Sequence, residues 1–420
     1  MRFAFDGTSL MKPTVPFSFR LCLVLLFLAG IAPVSFAGET TTKEETKAPE
    51  PRFKIYGWID SGITFNPDDP KDRQNFGRLF TDRSNELLLN QAVITFERTL
   101  PSGLTDLDWG FKFQAMMGSD ARAIHSLGLL DNTMNERIEP DIVEAYLALH
   151  FPILSAGGVD LKLGKFVTLE GNETIDPRTN FFYSHTYLFD FGIPFTHTGA
   201  MAIWHATPQV DLYGGVTRGI NTSIDDNNGS LAFHGGVGLN LLDGKFTALA
   251  TTHIGPETVG NNHDNRYVND LTFTAKPTKN FTAITDLNYA YDEAANARGY
   301  GIAQQFLYTI NDVYSIGLRG EVWRDEDGFY VASFAENDDA LDVLRGGGVT
   351  LDPRTVGGGR TTYGAITLGV NIKPPVPKPL AGFVIRPEVR YDRALTDTRP
   401  FNDSSDRDQF TASVDFILMF

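Results

Sequence analysis

The chain has 420 residues, of which 42% are hydrophobic and 21% charged, and its formal net charge is −16. A coiled coil would be richer in Ala, Glu, Lys and Leu, and a disordered chain would not contain 32 Phe, 14 Tyr and 4 Trp. A pI near 4.9 argues against binding of nucleic acid. The single Cys excludes an intramolecular disulfide and a Cys-based zinc site.

The distribution of apolar residues leaves two classes of protein open. After residue 38, no segment approaches the roughly 20 apolar residues that a membrane-spanning helix needs. A globular α/β enzyme and a transmembrane β-barrel both fit this composition, so the order of the segments along the chain has to decide between them.

Residues 1–37 predict a secretory signal peptide. Lys12 and Arg20 supply positive charge, residues 21–31 form a short apolar run, and residues 35–37 provide a small-x-small cleavage site. The alternative is a membrane anchor, for which the apolar run is too short. Cleavage would remove three basic residues and one acidic residue, which takes the net charge to about −18.

The residues that follow divide into a short leader and one long domain. Residues 38–51 are polar and charged and predict a flexible periplasmic leader. From residue 52 to residue 420 the sequence predicts segments of strand length, many of which alternate apolar and polar residues. The sixteen predicted strands are 52–64, 84–97, 106–117, 139–150, 158–166, 197–206, 208–217, 230–241, 244–254, 265–276, 279–291, 298–309, 312–323, 360–372, 381–393 and 407–420.

The alternation assigns side chains to two faces. In segment 312–323, Tyr314 and Leu318 share the apolar face, whereas Arg319 and Glu321 share the polar face. Segment 381–393 shows the same period with four charged residues on its polar face. Segments 84–97 and 298–309 alternate poorly.

The connections between the predicted strands alternate between long and short. Residues 65–83, 118–138 and 167–196 are long, whereas 98–105 and 151–157 are short. A soluble sandwich has no reason to collect its long loops at one end, but an outer-membrane barrel has short periplasmic turns and long extracellular loops. The pattern therefore predicts an all-β transmembrane barrel with about 16 antiparallel strands.

The C-terminus ends in SVDFILMF. Phe416, Leu418 and Phe420 lie on one face of the last predicted strand, and this pattern resembles the C-terminal signal by which bacterial outer-membrane proteins are recognised for assembly. The alternative is the buried terminal strand of a soluble domain.

Three stretches of the chain resemble bacterial outer-membrane porins, and more closely the OmpL-like family of β-barrel porins. They are FKIYGWIDSGIT (53–64), LKLGKFVT (161–168) and NFFYSHTYLFDFGIPFTHTGA (180–200). The resemblance implies a Gram-negative outer-membrane channel for passive diffusion of small hydrophilic solutes or ions. It also implies contacts with outer-membrane lipids and the barrel-assembly machinery, and a homotrimer is compatible with it. The alternative function is a non-conducting surface barrel with an adhesion or receptor role.

The connection 167–196 is the main candidate site, because in general porins the corresponding loop folds into the barrel and narrows the channel. It is unusually aromatic for a solvated loop, and packing against the inner wall would bury these side chains. We expect its acidic groups to face basic residues on the polar faces of the strands, which would orient dipolar solutes. The candidates are Glu170, Glu173, Asp176, Tyr183 and Asp190 in the loop, and Lys112, Lys162, Arg319, Glu321, Arg386, Glu388 and Arg390 on the wall. The alternative is that these wall residues pair with neighbours, and that the loop is an external lid.

Other candidate sites have weaker support. The connection 324–359 contains a predicted short helix near 338–344, and its composition fits a lid, a subunit latch or a phage-facing surface equally well. The acidic groups at 68–69 and 225–228 lack the spacing of a calcium loop and predict solvated turns. His197 and His205 are too far apart along one strand to chelate a metal together.

The sequence contains no nucleophile elbow, phosphate-binding loop or His-Glu-x-x-His motif. We therefore predict that the protein is not an enzyme and needs no cofactor or metal, although barrel hydrolases with a Ser-His-acid site remain a minor alternative.

Overall fold

The structure is a computed structural model that describes residues 52–101, 103–132, 137–331 and 359–420. Within these ranges the chain forms sixteen β-strands that close into one antiparallel barrel. Each strand pairs with its neighbours in sequence, and β1 pairs with β16. The strands are β1 Phe53–Phe65, β2 Leu87–Arg98, β3 Asp108–Gly118, β4 Glu139–Phe151, β5 Val159–Val167, β6 Thr196–Thr207, β7 Val210–Thr217, β8 Ala232–Leu241, β9 Phe246–Pro256, β10 Asn265–Ala275, β11 Phe281–Asp292, β12 Ala297–Thr309, β13 Tyr314–Asp325, β14 Thr361–Ile372, β15 Gly382–Ala394 and β16 Asp408–Met419.

The predicted barrel is confirmed, and every predicted strand overlaps an observed one. The predictions for the signal peptide 1–37, the leader 38–51 and the helix near 338–344 fall on residues outside the described ranges. The observed helices are short and lie in connections: an α-helix at Ala121–Ile124, here α1, and a π-helical turn at Leu188–Gly192. Among the described residues, no helix is long and apolar enough to cross a membrane.

The two faces of the strands differ in burial as the alternation predicts. On β13, Leu318 and Val322 are exposed on the outer surface, whereas Arg319 and Glu321 are buried on the inner surface. The same division holds on β16, where Phe410 and Phe416 face outward and Asp415 faces inward. An exposed apolar exterior with polar residues inside is the pattern of a barrel embedded in lipid.

The two strands that alternate poorly have different local explanations. In β2, Asn90 is an extra residue at a β-bulge, because Gln91 pairs with Asp60 whereas Leu89 pairs with Ser61. In β12, the inward positions include Gly299, Gly301 and Ala303, which are small residues without polar side chains. The inner face of β12 therefore carries little of the polarity on which the period-2 pattern depends.

The connections lie at two ends of the barrel with different characters. One end carries the turns 99–107, 152–158, 208–209, 242–245, 276–280, 310–313 and 373–381, and we call it the short-turn end. The other end, here the long-loop end, carries residues 66–86, 119–132, 168–195, 218–231, 257–264, 293–296 and 395–407. The connection 293–296 at this end is itself short, so the rule holds for most of the barrel and not for every hairpin.

Candidate functional site

The connection between β5 and β6, residues 168–195, leaves the wall and crosses the interior of the barrel; we call it the inner loop. Its polar groups make hydrogen bonds to inward-facing side chains of β2, β10, β11, β13 and β15. A buried segment with little regular secondary structure must satisfy most of its backbone groups elsewhere. Here the side chains of the barrel wall satisfy them.

Arg319 on β13 is the first of three buried arginines that hold the inner loop. Its Nη1 lies 2.7 Å from Glu173 Oε1 and donates to the Ser184 carbonyl oxygen, also at 2.7 Å. Its Nη2 donates to the Ser184 hydroxyl at 2.9 Å. Arg319 is fully buried, so one guanidinium links an acid and a carbonyl of the loop in a dry environment.

Arg386 on β15 binds three backbone carbonyls of the inner loop. Its Nη1 donates to the carbonyl oxygens of Pro177, Asn180 and Phe182 at 2.8, 3.0 and 3.0 Å. Its Nε and Nη2 bind the Asp415 carboxylate of the neighbouring strand at 3.0 and 2.5 Å. The Asp415 carboxylate of the wall thus balances the charge of Arg386, and the remaining N–H groups of Arg386 bind carbonyl oxygens of the loop.

Arg390 lies four residues beyond Arg386 on the same face of β15. Its Nη1 donates to the His185 carbonyl oxygen at 2.5 Å. Its Nη2 lies 2.8 Å from Asp392 Oδ1 and 3.0 Å from Glu321 Oε1. The three arginines therefore hold the loop at residues 177–185 from two strands of the wall.

Carboxylates of the wall accept hydrogen bonds from the amides of the same loop. Glu388 accepts from the Tyr183 and Ser184 amides at 2.9 and 3.2 Å, and Glu321 accepts from the Tyr187 amide at 2.7 Å. At the beginning of the loop, Asp270 and Asp286 accept from the amides of residues 171 and 172 at 3.1 and 3.0 Å. Charged acceptors strengthen hydrogen bonds in such a buried setting.

The aromatic residues of the inner loop are mostly buried. Tyr187 stacks on Tyr363 of β14 with ring centroids 4.9 Å apart, and Phe189 lies 5.5 Å from Phe80 of the 66–86 connection. The loop thus forms an apolar cluster with a second connection at the long-loop end. Burial removes the exposed apolar patch that a solvated loop of this composition would present.

Glycines on the wall make room for other aromatics of the loop. A Cβ atom at Gly317 of β13 would lie 2.4 Å from the Phe181 ring, and one at Gly62 of β1 would lie 2.5 Å from the Tyr183 ring. The Tyr183 hydroxyl donates to Asn90 Oδ1 at 2.8 Å. Close approach of ring to backbone explains these glycines.

The four acidic residues predicted for the loop lie in different environments. Burial raises the pKa of Glu173, but the Arg319 guanidinium, together with His185 and the Thr186 amide, outweighs burial and lowers this pKa to about 2. Asp176 is part-exposed and pairs with Arg178 at 2.6 Å. Burial, together with the negative charge of Glu173, raises the pKa of Asp190 well above its usual value.

Glu170, the fourth acid, lies at the beginning of the inner loop. It is buried, and among the described residues neither of its carboxylate oxygens has a hydrogen-bond donor. Burial and the nearby Asp270 raise its pKa well above the usual value, which favours the neutral acid.

The predicted basic residues Lys112 and Lys162 lie away from the loop, on the wall formed by β3 and β5. Lys112 forms an ion pair with Glu144 of β4. The Lys162 ammonium lies 5.0 Å from the centroid of the Tyr146 ring. Both side chains are part-exposed on the inner surface, so the interior of the barrel carries charge on two opposite walls.

Several residues of the site are absent from the sequence-based candidates. Arg78, in the 66–86 connection, is buried and lies 2.6 Å from Asp392 Oδ2. Asp392 and Asp415 are the wall partners of Arg390 and Arg386. Asp392 could have been predicted from the sequence, because it follows the alternating charged residues on the inward face of β15. No sequence pattern around Arg78 indicates its role.

A polar cavity of ≈ 160 Å³ lies beside the inner loop. Its lining includes Asn172 and Arg178 of the loop, and Gln305, Asn371 and Lys373 of β12, β14 and the following turn. Gln305 and Asn371 lie near the ends of their strands at the short-turn end, and Lys373 lies in the turn itself. The inner loop therefore borders this polar cavity on the side of the short-turn end.

Comparison with known proteins gives one family and a set of similar folds. The profile of the family described as "Putative beta-barrel porin-2, OmpL-like" matches residues 52–420. Comparison with curated protein sequences finds no match.

Solved structures with similar folds include outer-membrane proteins of low sequence identity. OprB of Pseudomonas putida is 11% identical with a TM-score of 0.54, and covers 88% of this chain and 94% of its own. The channel DcaP of Acinetobacter baumannii is 12% identical with a TM-score of 0.52, and covers 88% of this chain and 97% of its own. A trimer form of OmpT from Vibrio cholerae reaches a TM-score of 0.47 at 10% identity, over 88% of this chain and 99% of its own, which is too low to support an argument about assembly.

The family profile extends over the entire barrel, and the fold similarity agrees with it. An apolar exterior, a polar interior and a closed sheet are the properties that an outer-membrane channel requires. The chain therefore belongs to the OmpL-like family of β-barrel porins.

Proposed function

We propose that the protein is a porin through which small hydrophilic solutes or ions diffuse passively across the outer membrane. The observation that carries this proposal is the inner loop, which crosses a barrel with a polar interior and is held there by Arg319, Arg386 and Arg390. A loop anchored in this way narrows the interior of the barrel and leaves part of it open.

The constriction in this proposal lies between the inner loop and the wall formed by β3 to β5. The opposite wall, β13 to β16, is occupied by contacts with the loop. On the free side, Lys112 and Lys162 keep part of their surface accessible to the interior. We propose that these two lysines, together with Glu173, Asp176 and the other candidates of the sequence analysis, set the charge preference of the channel.

The charged residues of the inner loop and the wall do not form two separated rows of opposite charge. Glu173 touches Arg319, and Arg390 touches Glu321, so these charges neutralise one another in contact. Such pairs produce a field that falls off within a short distance. We therefore propose a narrow channel with weak discrimination by charge, although the net charge of −16 favours cations near the mouth.

Single-channel recording in a planar bilayer tests the proposed function. The purified, folded barrel should produce discrete conductance steps, and the same protein after heat denaturation should produce none. Solute uptake by proteoliposomes should decrease with solute size. Absence of conductance from folded protein would reject the porin in favour of a non-conducting surface barrel with an adhesion or receptor role.

We also propose a cellular context for the barrel: export through a cleaved signal peptide, insertion by the barrel-assembly machinery, contact with outer-membrane lipids and assembly as a homotrimer. Family and fold support the outer-membrane location. The N-terminus of the mature protein and chemical cross-linking in isolated outer membranes test the cleavage and the trimer. A mature chain that begins at Met1, or a cross-linked species no larger than one chain, would contradict these two proposals. The absence of enzyme activity stays a prediction.

A further inference from the structure

Three histidines from three different strands meet on the inner surface of the barrel. His197 of β6, His234 of β8 and His253 of β9 are each fully buried, and their ring centroids are 4.3 to 6.0 Å apart. Each ring offers a nitrogen, and the three nitrogens lie within 4.8 Å of one another. The cross-strand pairing of His234 with His253 places two of the rings side by side.

The surroundings of two rings match those of histidines that bind metals. His253 Nε2 lies 2.7 Å from Glu257 Oε1, and His197 Nδ1 lies 3.1 Å from the Gly219 carbonyl oxygen. When one ring nitrogen donates to a carboxylate or a carbonyl, the other nitrogen keeps its lone pair free for a metal. Glu257 is held in turn, because its Oε2 accepts from the Ile220 amide at 2.9 Å.

Two ring nitrogens in this cluster have no partner within the described part of the chain. They are His253 Nδ1 and His234 Nδ1, both in fully buried residues. A buried polar atom without a partner costs about 1–3 kcal/mol. Simple packing of three rings leaves that cost unexplained. A bound cation would remove it at His253, and also at His234 if that ring binds through Nδ1 with the proton on Nε2, which ends the contact of Nε2 with the Leu169 amide.

We propose that His197, His234 and His253 form a binding site for one divalent transition-metal ion of the kind that prefers imidazole ligands, such as Zn²⁺. Three protein ligands with an open fourth position are a common zinc arrangement. Zn–N bonds of about 2.0–2.1 Å require nitrogens roughly 3.4 Å apart. The rings therefore turn about their side-chain bonds and approach by about 1 Å when the ion binds.

The site lies beside the beginning of the inner loop, and a metal would replace the contact of any ring nitrogen that becomes its ligand. His197 Nε2 lies 3.2 Å from the Thr168 hydroxyl, and His234 Nε2 accepts from the Leu169 amide at 3.3 Å. Residues 168 and 169 are the first two of the inner loop. Metal binding would thus cross-link β6, β8 and β9 where the loop leaves β5, whether or not the barrel conducts.

Metal binding is measured on the full-length barrel, both after addition of metal to the folded protein and after refolding with metal present, because the cluster is buried. Zn²⁺ content after dialysis should reach one ion per barrel in at least one of these arms. Co²⁺ in the same site should give visible absorption bands of a four-coordinate ion. The thermal midpoint should rise with metal concentration, as expected for a ligand that binds the folded state.

Variants separate this site from unspecific binding by other histidines. His253→Gln and His234→Gln should abolish stoichiometric binding, and Glu257→Gln should weaken it by about 10- to 100-fold because it removes only the partner of a ligand. His263→Gln is the matched control, since His263 is exposed in the connection between β9 and β10. Heat-modifiable migration checks that each variant folds.

The outcomes distinguish the proposal clearly. Loss of the single bound ion in His253→Gln and His234→Gln, with wild-type binding in His263→Gln, supports the site. Absence of stoichiometric binding in both arms, or equal binding by wild type and a folded His253→Gln variant, would overturn it.

Discussion

At the scale of single residues, the inner loop contains two acids with opposite electrostatic character. Glu173 is stabilised as an anion by Arg319, whereas Asp190 is buried near Glu173 and its Oδ1 has no hydrogen-bond partner among the described groups. Because the pKa of Glu173 is lowered and that of Asp190 is raised, the same type of substitution should affect stability in opposite directions.

We expect Glu173→Gln to lower the free energy of unfolding at pH 7 by about 3–5 kcal/mol, because it removes the closest carboxylate of the buried Arg319 and leaves only Glu321, 4.0 Å from its Nε. A carboxyl with a lowered pKa stabilises the folded state above its unfolded pKa, which is 4.5 here. The difference from wild type should therefore be constant above pH 4.5 and decrease as the pH falls towards 2. Denaturant unfolding in detergent micelles, followed by Trp fluorescence, measures it.

The control for this experiment is Asp176→Asn. Asp176 pairs with the part-exposed Arg178, so its loss should cost no more than about 1 kcal/mol. Equal losses in the two variants, or a Glu173→Gln effect that increases below pH 4, would contradict the assignment of Arg319 as the stabilising partner.

Asp190→Asn should instead raise the free energy of unfolding at pH 7. A buried carboxyl with a raised pKa lowers the stability of the folded state at pH values above its unfolded pKa of 3.8, and this cost is absent below that value. The gain should therefore disappear as the pH is lowered through 3.8. The same unfolding measurement tests this prediction. A variant less stable than wild type at pH 7 would contradict it, and would show that the hydrogen bond from the Leu79 amide, 3.4 Å from Asp190 Oδ2, requires a charged carboxylate.

At the scale of elements, the inner loop and the last strand depend on contacts made far away in sequence. The loop is held by β13 and β15, and β16 closes the barrel against β1. Phe420 exchanges two backbone hydrogen bonds with Gly57, both of 3.0 Å. The C-terminal residue thus completes the ladder in addition to carrying the predicted assembly signal.

Deletion of residues 172–195 should raise single-channel conductance, because it removes the segment that crosses the barrel. The matched control is deletion of 259–263, a stretch of the β9–β10 connection that is mostly exposed. This control should leave conductance close to that of wild type. An unchanged conductance in the 172–195 deletion, with correct folding, would mean that the inner loop does not limit the flow of ions.

Removal of Phe420 should reduce insertion into the outer membrane, and two variants separate the reasons. Phe420→Ala keeps the backbone hydrogen bonds to Gly57 and removes the ring, whereas deletion of the residue removes both. The yield of heat-modifiable barrel in outer-membrane fractions measures insertion. Normal yield in both variants would contradict the role of Phe416, Leu418 and Phe420 as an assembly signal, and loss in the deletion alone would assign the effect to barrel closure.

At the scale of the whole molecule, the fold separates two solvents. Apolar side chains of the strands face outward, and the inward faces hold the charged network and the inner loop. Ile366, near the middle of β14, is 58% exposed on the outer surface. Thr274 of β10 lies on the inward face nearer the short-turn end and is part-exposed.

Ile366→Arg should therefore destabilise the barrel by about 2–4 kcal/mol, the cost of a charge on the lipid face near the membrane midplane. Thr274→Arg, which places the same charge in the interior, should have a much smaller effect on stability. Unfolding from lipid vesicles measures both variants. Equal costs for the two substitutions would contradict the assignment of the outer face to lipid.

The sequence by itself determined the strands, their faces and the end at which the long loops lie. These features are local, because successive side chains of a strand point to opposite faces. A strand with lipid on one face and water on the other therefore alternates apolar and polar residues. The aromatic composition of the inner loop also indicated burial. The pattern failed where a bulge at Asn90 or small inward residues on β12 interrupted it.

Only the tertiary structure decided which charges meet. Arg78 pairs with Asp392 and Arg319 with Glu173 across large separations in sequence, and His197 joins His234 and His253 rather than His205. Spacing along one strand could not reveal that cluster, because its members come from separate strands. Closure of the barrel sets these distances, since it fixes the register of every strand and brings the inner loop against the opposite wall.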